Sequence, residues 1–245
     1  NSNTAVGYDA LGAEVQGDRN VAIGNAALKN QSNSTDLDIY NTAVGYYAGL
    51  SITTGDSNTL IGGEAGDALT TSSDNVAVGY AALSSQVDGA SQNVAVGFKA
   101  ARLNTGGDGL TAVGRQALED NTTGANNVAV GSLAMNNNTV GNYSVAIGRL
   151  ALQDQNYGTS TDAYNVAIGY EAGKEITSGI RNVIIGGLAG DLFTDADFNV
   201  AVGHGALSSD QLGSKSVAVG NGTLGAQAFS TATDVFNTAV GTNAG

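Results

Sequence analysis

The chain has 245 residues, 36 Gly, no Pro, no Cys and no Trp, with 9 basic and 22 acidic residues for a net charge of −13. The missing cysteines exclude a disulfide scaffold and a thiolate metal site. The acidic balance argues against a nucleic-acid partner, which needs a basic stripe, and no apolar run approaches the ~20 residues of a membrane-spanning helix.

One pentapeptide, Asn-(Val/Thr)-Ala-(Val/Ile)-Gly, recurs along the chain. Its copies and near copies end at Gly7, Gly24, Gly45, Gly62, Gly79, Gly97, Gly114, Gly131, Gly148, Gly169, Gly186, Gly203, Gly220 and Gly241. The spacing is mostly 17 residues, once 18 and three times 21. A fixed period of that length marks a stacked repeat. The reading is one continuous array over residues 1–245, a fragment of a longer fibre, whose fourteen motif glycines are its structural site residues.

With the motif Asn as position one, positions two to four are short, β-branched and alternating, so each copy predicts a strand. The Gly at position five predicts a bend or a close approach of backbones. Position three is Ala except at Leu60 and Ile184, position eight is Ala except at Thr223, and position nine is mostly Leu or Gly. Stretches such as Asn121-Thr122-Thr123-Gly124 are turn formers. Seventeen extended residues reach ~56 Å, enough for two short strands and two turns, and coils stacked at ~4.8 Å would make a rod of roughly 65 Å. The fold class is therefore all-β, a parallel β-solenoid or β-roll of about fourteen 17-residue coils. The motif Asn invites a side-chain hydrogen-bond ladder, for which Leu110 has no explanation.

Both faces of the strand are apolar, and position three stays small, Ala in all but the two copies with Leu60 and Ile184. A strand apolar on both faces is expected to be covered on both. Its own coil covers one side, and another chain, in a side-by-side or intertwined homotrimer, would cover the other. Leu60 and Ile184 fall in copies where position six is Gly63 or Gly187, so that Gly is expected to make room for them. Where position nine is Gly, a large residue follows three places later (Ile52, Leu69, Ile176, Phe193), as a volume-conserving exchange in a packed core requires.

Residues 41–86 resemble 165–210, displaced by 124, so the array reads as duplicated in blocks of seven coils. The three 21-residue spacings end in Asp38-Ile39-Tyr40, Asp162-Ala163-Tyr164 and Asp234-Val235-Phe236. Each predicts a longer loop, its aromatic tucked against the next coil, serving as a staple rather than a receptor-contacting protrusion.

Asn-Thr-Ala-Val-Gly-Tyr-Asp-Ala-Leu (3–11), Asn-Val-Ala-Val-Gly-Tyr-Ala-Ala-Leu (75–83) and the Asn-Thr-Thr-Gly turn at 121–124 resemble repeats of phage and prophage tail-fibre proteins. More distantly they resemble the YadA-like heads of trimeric autotransporter adhesins. The resemblance implies a homotrimer of left-handed parallel β-rolls, located on a virion tail fibre or a bacterial cell surface. It implies attachment to a host receptor or glycan, with the receptor site often elsewhere along the fibre.

Chemistry-bearing residues are few. The single histidine, His204, occupies the variable position six, so no Ser-His-Asp set can be assembled. Asp36/Asp38 and Asp195/Asp197 offer oxygens for Ca²⁺, but the Gly-Gly-x-Gly-x-Asp repeat of calcium-binding rolls is absent, and no metal or cofactor is expected. Tyr8, Tyr46, Tyr80, Phe98 and Tyr170 recur at position six, as packing between coils or chains or as a track for glycans. The expectation is a non-enzymatic attachment fibre that spaces or displays receptor-binding elements. The alternatives are an adhesin head and a monomeric plate such as an ice-binding solenoid, which needs regularly spaced Thr where position two is more often Val.

Overall fold

The computed structural model describes residues 2–33, 38–86 and 89–245. The chain forms two compact units, Asn1–Thr123 and Gly124–Gly245. Each is a parallel β-solenoid, and there is no helix among the described residues. The first unit stacks the strands Thr4–Val6, Val21–Ile23, Thr42–Val44, Thr59–Ile61, Val76–Val78, Val94–Val96 and Thr111–Val113. The second stacks Val128–Val130, Val145–Ile147, Val166–Ile168, Val183–Ile185, Val200–Val202, Val217–Val219 and Thr238–Val240. Neighbours pair in parallel with identical motif positions opposite one another, Ala22 with Ala43 and Ala146 with Ala167. The 17-residue period is therefore one full circuit of the chain per ladder step.

The expected second strand is mostly absent. Among the described residues, two-residue strands appear on the far side only at Gly141–Asn142 with Thr161–Asp162 and at Gly213–Ser214 with Thr233–Asp234. Elsewhere successive three-residue-spaced backbone bonds wind the chain after each strand. Ala65 N–H donates to Gly62 C=O at 3.4 Å, and Ile52 N–H to Gly49 C=O at 3.1 Å. Every described non-glycine residue with positive φ falls at position seven, position nine or the residue before the motif Asn, for example Glu64 (58°), Leu83 (52°) and Phe198 (58°). A positive φ at position seven is what the third residue of a type II turn requires. No Val, Ile or Thr occupies any of these three positions in any coil, because a β-branched side chain is a steric outlier there.

The motif glycines, from Gly7 to Gly241, carry φ between 126° and 145°. That backbone is closed to other residues, and the space is closed as well. A Cβ on Gly131 would sit inside the van der Waals shell of the Gly148 carbonyl of the next coil, and one on Gly186 would meet that of Gly203 in the same way.

The motif asparagines link coils in two directions. The Asn182 Oδ1 accepts from the Asn199 backbone N–H of the next coil at 2.9 Å, and its Nδ2 donates to the Ala196 carbonyl of its own coil at 2.7 Å. The same pair of bonds recurs at Asn41, to Asn58 N–H and Gly55 C=O, and at Asn58, to Asn75 N–H and Ser72 C=O. The accepting oxygen always belongs to the preceding coil. Leu110 therefore fits: its backbone N–H is received by Asn93 Oδ1 at 2.9 Å while its side chain is buried.

Position-three and position-eight alanines line the interior, fully buried at Ala22, Ala43, Ala77, Ala48 and Ala82. Position nine and position twelve fill the remaining space between them. Where position nine is Leu, position twelve is a buried polar residue such as Gln31, Gln86, Asn121 or Gln155. Where position nine is Gly, position twelve is the buried filler Ile52, Leu69, Ile176 or Phe193. A Cβ on Gly190 would run into the Phe193 ring. The room for Leu60 and Ile184 comes from this slot, not from Gly63 and Gly187. Cβ atoms on Gly49 and Gly66 would lie 2.8 Å from Leu60 methyls, and one on Gly173 would lie 2.9 Å from Ile184 Cδ1. Position six points outward, so Gly63 and Gly187 cannot relieve an inward side chain; they lie beside the Tyr80 and His204 rings instead.

Two substitutions, with a third as control, test this core. Asn182→Ala strands a buried N–H and a buried C=O, so denaturant titration is expected to show a loss of about 2–4 kcal/mol. Gly131→Ala is expected to cost at least about 2 kcal/mol. Gly158→Ala, where a Cβ meets nothing within 4 Å, stays within about 1 kcal/mol of the parent. Equal thermal midpoints for the two glycine variants would refute the close-approach role of the motif glycine.

Candidate functional site

The strand alternation that buries position three turns positions two and four outward. Position four is the exposed edge of an apolar stripe, with Ile23, Ile61, Ile147, Ile168 and Ile185 each 36–40% accessible. Seven strands in each unit carry this stripe, and no charged residue occurs at position two or four of any coil.

Two projecting rows flank it. Position six carries the exposed rings Tyr8, Tyr46, Tyr80, Phe98 and Tyr170, and Tyr80 packs coil on coil with Phe98, the two rings stacked at 5.8 Å. The other row is the residue before each motif Asn, where the left-handed backbone aims the side chain outward. In the second unit Tyr143 stacks on Tyr164 at 5.2 Å and 9°, Arg181 lies over Phe198 at 5.4 Å, and Lys215 lies over Phe236 at 5.2 Å. The first unit repeats the cation–aromatic pair with Arg19 over Tyr40 at 5.3 Å. Each such exposed contact contributes about 0.5–1 kcal/mol. Arg19 and Lys215 also pair with Asp38 and Asp234 at 2.7 and 2.5 Å.

This corrects the expectation for the longer coils. Tyr40, Tyr164 and Phe236 are not tucked inward: they are 47–68% accessible members of the outer row. The residues that tuck in are their predecessors Ile39 and Ala163, which are buried. In the coil of residues 144–164 the staple is Tyr157, 6% accessible, whose hydroxyl donates to Gly179 C=O at 2.7 Å and accepts from Asn165 Nδ2 at 3.1 Å. Burial pushes its phenol well above the ordinary range. The sequence signal was a large ring thirteen places after the motif Ser144, recurring at Phe229 after Ser216.

His204 is exposed at position six. Asp36 lies outside the described residues. Asp195 accepts from Ser178 Oγ at 2.7 Å and Asp197 from the Ile180 N–H at 2.7 Å. Among the described residues no three His, Cys, Asp or Glu side chains group as metal ligands. Asn121, in the sequon Asn121-Thr122-Thr123, is fully buried and donates to Asn104 Oδ1. No protein-family model, curated protein or solved structure matches this chain.

Two carboxylates stand out electrostatically, at equivalent places 124 residues apart. Asp67 and Asp191 each follow a position-nine Gly and keep one buried oxygen without a hydrogen-bond partner. Burial, with Glu64 adding repulsion, raises Asp67 from the ordinary carboxylate value to about 6; burial raises Asp191 too. The folded state thus prefers the neutral acid. Its stabilising contribution is complete below the unfolded value near 4 and is lost as pH rises through about 6. On going from pH 7 to pH 4.5, the parent's thermal midpoint is expected to rise relative to that of Asp67→Asn. A constant difference between the two melting curves across that window would contradict the burial of the charge.

Proposed function

We propose that this chain is a segment of a homotrimeric attachment fibre, most simply a phage tail fibre, that spaces or displays host-receptor-binding elements. The observation that supports this is the outward apolar stripe. A single chain buries position three in its own coil but leaves position two half-buried and the Val or Ile of position four half-buried to exposed, coil after coil. Extended apolar patches of that kind mark interfaces. Two further copies of the same chain are the natural cover, since an identical repeat meets an identical repeat in register.

The function is mechanical. Stability summed over stacked coils makes a stiff, protease-resistant rod, and the net charge of −13 keeps its outer surface self-repelling and soluble. No residue is assigned a catalytic role, no cofactor is required, and the place of action is outside the cell, on a virion or a bacterial surface. The resemblance of the motif copies at 3–11 and 75–83 to tail-fibre repeats supports the fibre over an adhesin head. An ice-binding plate is disfavoured because the threonine hydroxyls on one side are already engaged: Thr53, Thr177 and Thr194 each donate to the next coil's carbonyl at 3.2 Å.

Light scattering on the purified chain is expected to give a mass of three chains. Ile168→Lys with Ile185→Lys, on the exposed stripe, is expected to shift that mass to one chain while the far-ultraviolet circular dichroism of the parent persists. A parent that runs as a single chain at all concentrations would sink the trimer.

A further inference from the structure

The outer surface of the first unit is not uniform. A groove of about 290 Å³ opens at the side of its first three coils. Its walls are the rings of Tyr8 and Tyr47, the latter held by stacking on Tyr46 at 3.9 Å. Its polar groups are the exposed amides of Asn25 and Asn30 and the ion pair of Lys29 Nζ with Asp9 Oδ2 at 2.8 Å. Asp9, by hydrogen bond and charge, raises the Lys29 ammonium pKa.

We propose that this groove binds one neutral monosaccharide residue of a surface glycan. A sugar ring has an apolar C–H face and a rim of hydroxyls that both donate and accept. Aromatic rings cover the first, and amide, carboxylate and ammonium groups satisfy the second. The volume lies at the small end of ligand sites, ~300 Å³, which suits a single ring. Asp9 neutralises Lys29 within the groove, and the chain's charge of −13 repels anions, so the sugar is neutral.

The groove is not a by-product of the repeat. At the positions 124 residues later, Tyr8, Asp9 and Tyr47 become Ser132, Leu133 and Glu171, and Asn25 and Lys29 become Arg149 and Gln153. The coil therefore folds without the two rings.

The site goes beyond the fibre reading, because the spacer itself would carry a ligand. Saturation-transfer NMR on the intact 245-residue chain would use methyl glycosides of glucose, galactose, mannose, rhamnose and N-acetylglucosamine, with sialic acid as the anionic probe. At least one neutral glycoside is expected to bind with a Kd of ~1–10 mM. Tyr8→Ala with Tyr47→Ala weakens it at least ~10-fold, as does Lys29→Ala alone, while Tyr143→Ala in the second unit leaves it unchanged. Three outcomes overturn the site: no neutral glycoside binds, only sialic acid binds, or binding survives the double variant. Mass and circular dichroism on the same samples keep the site separate from the trimer, since a trimer that binds no sugar sinks the groove alone.

Discussion

The amide of the motif asparagine is the interaction on which the coils depend. Backbone bonds join the coils around most of the circuit, Leu28 to Ala48 and Thr53 to Thr70 among them, but where the chain enters each strand a backbone N–H facing the previous coil and a carbonyl of its own coil lie away from water and are left to a side chain. Asn182 answers both demands with one side chain, accepting from Asn199 N–H above and donating to Ala196 C=O across its own coil. A buried backbone group left without a partner costs about 1–3 kcal/mol, so a column of such amides fixes the register of coil on coil. Ser144 and Ser216 keep their own N–H bonds to Asn127 and Asn199, and Leu110 keeps its bond to Asn93, because the acceptor always comes from the coil before.

Steric limits sharpen what hydrogen bonding sets. Motif glycines such as Gly97, Gly131 and Gly186 lie where the next coil's carbonyl fills the place of a Cβ, so the coils approach as closely there as backbones can. The interior is narrow, and in most coils a large side chain fills one of two slots, with Leu60 and Ile184 adding a second beside it in their coils. Leu28 at position nine is followed by polar Gln31, whereas Gly66 is followed by Leu69 and Gly190 by Phe193. A buried Gln or Asn at position twelve then joins the amide network: Asn41 Nδ2 donates to Gln31 Oε1 at 2.9 Å and Asn165 Nδ2 to Gln155 Oε1 at 3.0 Å.

The outer face is what the inner constraints leave over. Alternation sends β-branched residues outward, and the left-handed residue before each Asn sends rings and cations to the rim. The proposed attachment, self-association and sugar binding would all belong to this outer layer, where the repeat tolerates Tyr, Arg, Ser or Gly at one position.

The seventeen-residue period, the strand at positions two to four, the parallel stacking and the alanine side of the core were legible in the sequence, because each is a local pattern repeated fourteen times. The ban on Val, Ile and Thr at positions seven, nine and the pre-motif residue was also present in the sequence, as a pattern of absences that only the backbone's positive φ makes meaningful. Three matters were decided by tertiary structure alone. Leu60 owes its room to Gly49 and Gly66 rather than to Gly63, since contact depends on which way a side chain points and not on its distance along the chain. Tyr157 rather than Tyr164 became the buried staple, since a left-handed backbone at Tyr164 turns the ring to solvent. Tyr8, Lys29 and Tyr47 came to share one groove, since stacking brings residues a period apart in sequence within a few ångströms in space.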